Sequence, residues 1–205
     1  MNAPKDAPAP REIDEKTRAP RDVTALDLPA AALSDRTRAY FDICREKLGL
    51  VPNVLAAYTF DEAKLSAFTA MYNDLMLADS PLTKLQREMV AVTVSSANRC
   101  WYCLVAHGAA VRDLSGDPQL GERLVLNWRT ATLPDDERAM LAFAHKLTVE
   151  PQAMDEADRQ RLRDAGWSER AIMATASVAA FFSMTNRVAA AIEMEPRAEY
   201  HAMGR

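Results

Sequence analysis

From residue 29 to residue 193 the chain is a succession of helix-period segments bounded by capping residues and breakers, and apolar alternation at period two is nearly absent. That pattern predicts an all-α fold. Glycine is scarce, six in 205 residues, so few segments are interrupted from within. Ser34 predicts a helix over 34–48, closed by Gly49 and Pro52. A second segment covers 61–77. Thr83 with Gln86 makes a capping box for a helix running to about residue 96. The next covers 99–112 and ends before Ser115-Gly116-Asp117-Pro118. Segments 118–128, 134–149, 155–165 and 168–193 complete the set. The last is apolar on nearly all sides until Asn186-Arg187, which predicts a helix at the centre of the fold or at an interface.

Residues 1–22, rich in proline, alanine and charge, read as a flexible N-terminal arm. Residues 23–195 form the helical domain, and 196–205 a C-terminal tail. The net charge of −4 with no basic run gives no reason to expect nucleic-acid binding. No run of about 18 apolar residues predicts a membrane span, and 1–22 lacks the apolar core of a secretory signal. Three cysteines, two of them in a C-x-x-C, fit a reducing compartment, so a cytoplasmic location is expected. Ser95-Ser96-Ala97-Asn98-Arg99 is weakly echoed by Phe182-Ser183-Met184-Thr185-Asn186-Arg187. The echo reads either as a degenerate internal duplication, with the cysteines in the first copy only, or as chance.

The chemistry centres on Cys100-Trp101-Tyr102-Cys103 with His107 four residues on. On a helix these two thiols and the imidazole fall within an arc of roughly 60°. Thiolate is the reactive form, and an ordinary thiol ionises at a pKa of about 8.5. Two devices lower it here. Asn98 is expected as the N-cap, placing Cys100 in the first turn at the positive end of the helix. His107, one turn after Cys103, can take a thiol proton and stabilise the thiolate as imidazolium. Glu88 is the candidate orienting acid. In an unbroken helix it would lie about 18 Å from Cys100, so the helix must break near Ser96-Ala97-Asn98. The competing reading makes Glu88 a solvated surface charge. A zinc site of Cys100, Cys103, His107 and Glu88 is a rival, weakened by the lack of a second Cys/His pair. Cys44 reads as a buried small hydrophobe, and His145 and His201 have no evident partner. Trp101 and Tyr102 are candidates for pocket walls or packing. Phe181, Phe182 and Met184 are candidates for core or interface, and Met71 and Met76 for channel or core.

The spacing Glu88, Cys100-x-x-Cys103, His107 resembles the signature of the AhpD-like alkylhydroperoxidases of the carboxymuconolactone decarboxylase superfamily. Gly49-Leu50-Val51-Pro52-Asn53-Val54, Val94-Ser95-Ser96-Ala97-Asn98 and Thr185-Asn186-Arg187-Val188-Ala189 resemble its peroxidase-related branch, over residues 25–195. The resemblance implies an AhpD-like helical bundle, a homo-oligomer and reduction of hydroperoxides. It assigns attack on the peroxide to Cys103, the base to His107, the relay anchor to Glu88, and resolution to Cys100 as a Cys100–Cys103 disulfide. It implies no cofactor, with electrons coming from an external thiol whose identity the sequence does not specify. The helix-end argument pulls the other way, toward Cys100 as the more acidic thiol. One departure stands out: the best-known members carry a histidine of the proton relay where this chain has Tyr102. The alternative function is a thiol–disulfide reductase or redox sensor acting on a protein partner, which would use the same residues.

Overall fold

The computed structural model describes residues 23–205, and the N-terminal arm expected over 1–22 lies outside them. Among the described residues there are nine α-helices, three short 3-10 segments and no strand. The helices are α1 Asp35–Leu48, α2 Asn53–Ala57, α3 Glu62–Met76, α4 Lys84–Ala97, α5 Trp101–Ser115, α6 Pro118–Asn127, α7 Asp135–Val149, α8 Glu156–Asp164 and α9 Glu169–Ala191. No helix among them is long and apolar enough to cross a membrane.

Local chemistry sets most boundaries. Ser34, Asp61, Thr83, Asp117, Asp155 and Ser168 each cap a helix by accepting from a backbone N–H, satisfying a donor that the helix leaves orphaned. Thr83 and Gln86 complete the expected capping box. Gly49 and Gly116 close α1 and α5 in the left-handed conformation, at φ 74° and 65°. The short helix α2 has no signal in the apolar periodicity, because five residues are too few to show a period.

Helix α4 is the axis of the molecule. It packs on α5, α6, α7 and α9, and Met89, Val90, Ala91, Val92 and Val94 are fully buried. Helix α9 is central as well, lying across α3, α4, α5, α7 and α8. Phe181 and Phe182 are in the core, while Met184 is exposed. Met76 is core filler and Met71 is exposed, so the two do not form a channel.

The segment expected as a tail is packed. Its 3-10 turn Ala198–His201 lies on α5, and Arg112 donates to the carbonyls of Tyr200 and Met203 at 2.8 and 3.0 Å. At the other end, Ala25 N–H donates to Ile192 O and Glu195 N–H to Val23 O, so residues 23–25 run beside the end of α9.

Candidate functional site

Glu88 on α4 faces α5 because the chain reverses between the two helices. Asn98 closes α4, Arg99 adopts the left-handed conformation at φ 54°, and Cys100 is the N-cap of α5. Cys100 N–H donates to Ser95 O at 3.0 Å and Arg99 N–H to Ser96 O at 3.1 Å, the paired bonds of a Schellman close. The expected break is present, but the expected cap is corrected. Asn98 ends the preceding helix and turns its side chain inward, and the cap falls to Cys100 because the left-handed residue is Arg99.

The hairpin places Glu88 Oε2 2.6 Å from His107 Nδ1. Their side chains are only 11% and 13% exposed, so Glu88 is no solvated surface charge. Phe182 meets the imidazole edge to face at 4.5 Å between ring centres, fixing the ring from a second side. With Nδ1 engaged by the carboxylate, Nε2 is the nitrogen left for proton transfer.

Cys100 and Cys103 are free thiols, each 3% exposed. The Cys103 thiol and the Cys103 backbone N–H, at the open end of α5, both favour charge on the Cys100 sulfur, although the Cys100 side chain forms no regular cap bond to the helix. The thiol–thiol bond is the largest cause that brings Cys100 down to about 7, against burial; the N–H, the charge of His107 and the Asn186 side chain add to it. Cys103 is pushed far up, first because it is the donor in that bond, then by burial and by repulsion from Cys100. The two sulfurs therefore act as one unit that releases its first proton near neutral pH and holds its second. The resting charge belongs to Cys100, the sulfur at the helix end, rather than to Cys103.

Two residues that the site reading omitted also reach the pair. Asn186, 1% exposed on α9, favours the charged form of both thiols, and Ser95, fully buried on α4, that of Cys103; Ser95 O also accepts from Cys100 N–H at 3.0 Å. Asn186 Nδ2 donates to Ser95 Oγ at 3.0 Å, and Asn98 Nδ2 donates to Asn186 Oδ1 at 2.9 Å. The signal for them lay in the echoed segments, whose two asparagines meet at the dithiol.

Tyr102 is buried and turned to other work. Its hydroxyl accepts from Val54 N–H at 3.2 Å and favours the charged form of its neighbour Tyr200, so it faces both α2 and the C-terminal segment. Burial pushes it well above the ordinary tyrosine range, which removes it as a base. Trp101 does not wall the site: it is 56% exposed and lies against His201. The shell around the sulfurs is apolar, from Val54, Ala57, Ala106, Ala189, Ile192 and Met194. Cys44 is buried, which raises its thiol pKa, and His145 lies beside Trp128. Among the described residues no group of three or more His, Cys, Asp or Glu side chains is arranged to hold a metal ion.

A model of the carboxymuconolactone decarboxylase family matches residues 62–144, the stretch that contains Glu88, Cys100, Cys103 and His107. The crystal structure of an uncharacterized peroxidase-related protein from Silicibacter sp. TM1040 is 60% identical, with a TM-score of 0.89 over 92% of this chain and 99% of that one. An alkylhydroperoxidase AhpD core protein from Ralstonia eutropha JMP134, also peroxidase-related, is 38% identical, with a TM-score of 0.85 over 89% and 97%. A debrominase crystallised with 2,3,4-tribromopyrrole shares the fold alone, with a TM-score of 0.74 at 20% identity over 89% and 97%. A search among curated proteins finds no match.

Proposed function

The chain belongs to the carboxymuconolactone decarboxylase family, on its AhpD-like, peroxidase-related branch, and on that basis we propose that it is a thiol-dependent peroxidase reducing hydroperoxides through Cys100 and Cys103. The observation that carries this reading is the Glu88–His107 pair, buried next to a dithiol whose first proton leaves near pH 7. A relay base, an orienting carboxylate and a sulfur pair are what two-electron peroxide reduction needs.

In this cycle the proton released by the pair passes to His107, which Glu88 orients through Nδ1. The remaining thiol proton passes from Cys103 to Cys100 across the bond that joins them, leaving the thiolate on Cys103, one helical turn from His107. That thiolate attacks the terminal peroxide oxygen. An S–O bond forms, the O–O bond breaks, and the departing alkoxide takes the proton of His107 to leave as alcohol. Cys100 then attacks the Cys103 sulfenic acid. The S–S bond forms, and hydroxide leaves as water with the Cys100 proton. Two electrons have passed from the dithiol to the peroxide, and an external thiol reductant restores them. The near-complete burial of both sulfurs favours a small hydroperoxide over a protein disulfide as the oxidant.

The test is consumption of tert-butyl hydroperoxide and hydrogen peroxide with dithiothreitol as reductant, on metal-free parent, Cys100→Ser and Cys103→Ser. Turnover is expected in the parent and lost in both variants, and a sulfenic acid trapped with dimedone is expected on Cys103 in Cys100→Ser. A trapped acid on Cys100 alone would reverse the order of attack. No turnover in the parent, together with rapid exchange of Cys100–Cys103 with a protein disulfide, would replace the peroxidase by a disulfide reductase.

A further inference from the structure

The helix-end N–H favours charge on Cys100, whereas Cys103 is the sulfur one turn from the relay base. Cys103 has its own support. Asn98 Nδ2 donates to Asn186 Oδ1 at 2.9 Å, and Asn186 Nδ2 donates to Ser95 Oγ at 3.0 Å. Ser95 Oγ has thereby accepted, which leaves its own O–H as a donor, and Ser95 O accepts from Cys100 N–H at 3.0 Å, so this donor stands beside the dithiol and favours charge on Cys103. Both donors run in one direction, toward Ser95. Asn186 is positioned by Asn98, which occupies its carbonyl and leaves both amide hydrogens for Ser95 and the sulfurs. Ser95 and Asn186 are 0% and 1% exposed, so no water competes for these bonds.

We propose that Asn186 is a working member of the dithiol centre: with Ser95, it is a preorganised amide–hydroxyl donor set, brought by a separate helix, that lets the negative charge move from Cys100 to Cys103. This rests on Cys100 and Cys103 being the reacting pair, and it adds what places charge on the attacking sulfur. A donor aimed at a site of developing charge acts without reorganisation when the reaction occurs. The titratable groups facing the pair are His107 on α5, bonded to Glu88 on α4, together with Tyr102 on α5, which has Tyr200 of the C-terminal turn behind it. Helix α9 presents the uncharged Asn186 and Ala189, and α2 presents Val54 and Ala57. Asn186 is therefore the polar group that α9 brings to the sulfurs.

The experiment measures thiol ionisation, not turnover, so its outcome is separable from that of the peroxidase assay. Iodoacetamide alkylation is followed against pH in the parent, Asn186→Ser and Ser95→Ala, and the label on Cys100 and Cys103 is quantified by mass spectrometry. In Asn186→Ser the pH of half-maximal alkylation is expected to rise by about 1 unit, from the loss of a hydrogen bond to a charged group. The share of label on Cys103 is expected to fall at least threefold in both variants. A purely structural role would lower the melting temperature and leave pH profile and label ratio as in the parent, and that result overturns the proposal. If either variant fails to fold, the parent decides. The side-chain amide NMR signals of Asn186 must titrate with the dithiol and cease to do so once both sulfurs are alkylated. Signals that stay fixed through the thiol titration overturn it equally.

Discussion

Cys103→Ala removes the largest cause that lowers the Cys100 thiol, the hydrogen bond from its partner, while leaving the helix end intact. In the parent Cys100 ionises at about 7, so about half is thiolate at pH 7. A hydrogen bond to a charged group is worth about 1.5–3 kcal/mol. At 1.36 kcal/mol per pKa unit, losing ~2 kcal/mol returns Cys100 to about 8.5, the ordinary thiol value. The thiolate at pH 7 then falls from about one half to about 3%, and alkylation at that pH slows about fifteenfold. Cys103→Ser keeps an O–H donor in the same place and should recover most of the loss. The assay is iodoacetamide alkylation of Cys100, followed by mass spectrometry from pH 5.5 to 10. The sign follows from the depressed value: reactivity is full above about 8.5 and is lost as pH falls through 7. Half-ionisation near 7 in Cys103→Ala would show that the helix end alone sets the Cys100 charge, refuting the shared-proton account.

Three further outcomes follow from the geometry. Glu88→Gln retains a bond to His107 but not the charge 2.6 Å from Nδ1, and peroxide turnover should fall about a hundredfold with melting unchanged; a loss under threefold would remove Glu88 from the relay. Arg99→Gly relieves an exposed left-handed residue at φ 54°. Net of the added unfolded-state freedom, stability should rise by about 0.5–1 kcal/mol, read as a melting temperature about 2–3 °C higher. Gly204→Ala would put a Cβ 2.7 Å from both Arg112 Cβ and Asp113 N. It should release the C-terminal turn, seen as faster tryptic cleavage at Arg197 and a melting temperature lower by several degrees; unchanged cleavage would show that the turn is held elsewhere.

Much of the helical layout was legible because its determinants are local. Ser34, Asp61, Thr83 and Ser168 act on N–H groups three residues away, and Gly49 and Gly116 act at their own positions. The reversal after α4 was legible in outline, because Glu88 and Cys100 cannot meet along one helix. Its chemistry was misjudged by two residues, since Asn suits either end of a helix and Arg99 gives no sign of a left-handed φ. Tyr102 illustrates the limit: a tyrosine in a relay position looks like a substituted base until Val54, far off in sequence, is seen to occupy its hydroxyl, with Tyr200 beside it.

The sequence by itself determined the helical class, most helix caps other than that of α5, and which thiols, imidazole and carboxylate share one hairpin, because these depend on spacing and near-neighbour hydrogen bonds. Only the tertiary structure decided which sulfur carries the resting charge and which residues support the other. Those depend on donors delivered from α4 and α9 across 91 residues of chain between Ser95 and Asn186, and on burial deep enough that one hydrogen bond shifts a proton. Directional contacts between distant segments have no period and no local motif, so they appear only when the helices are packed.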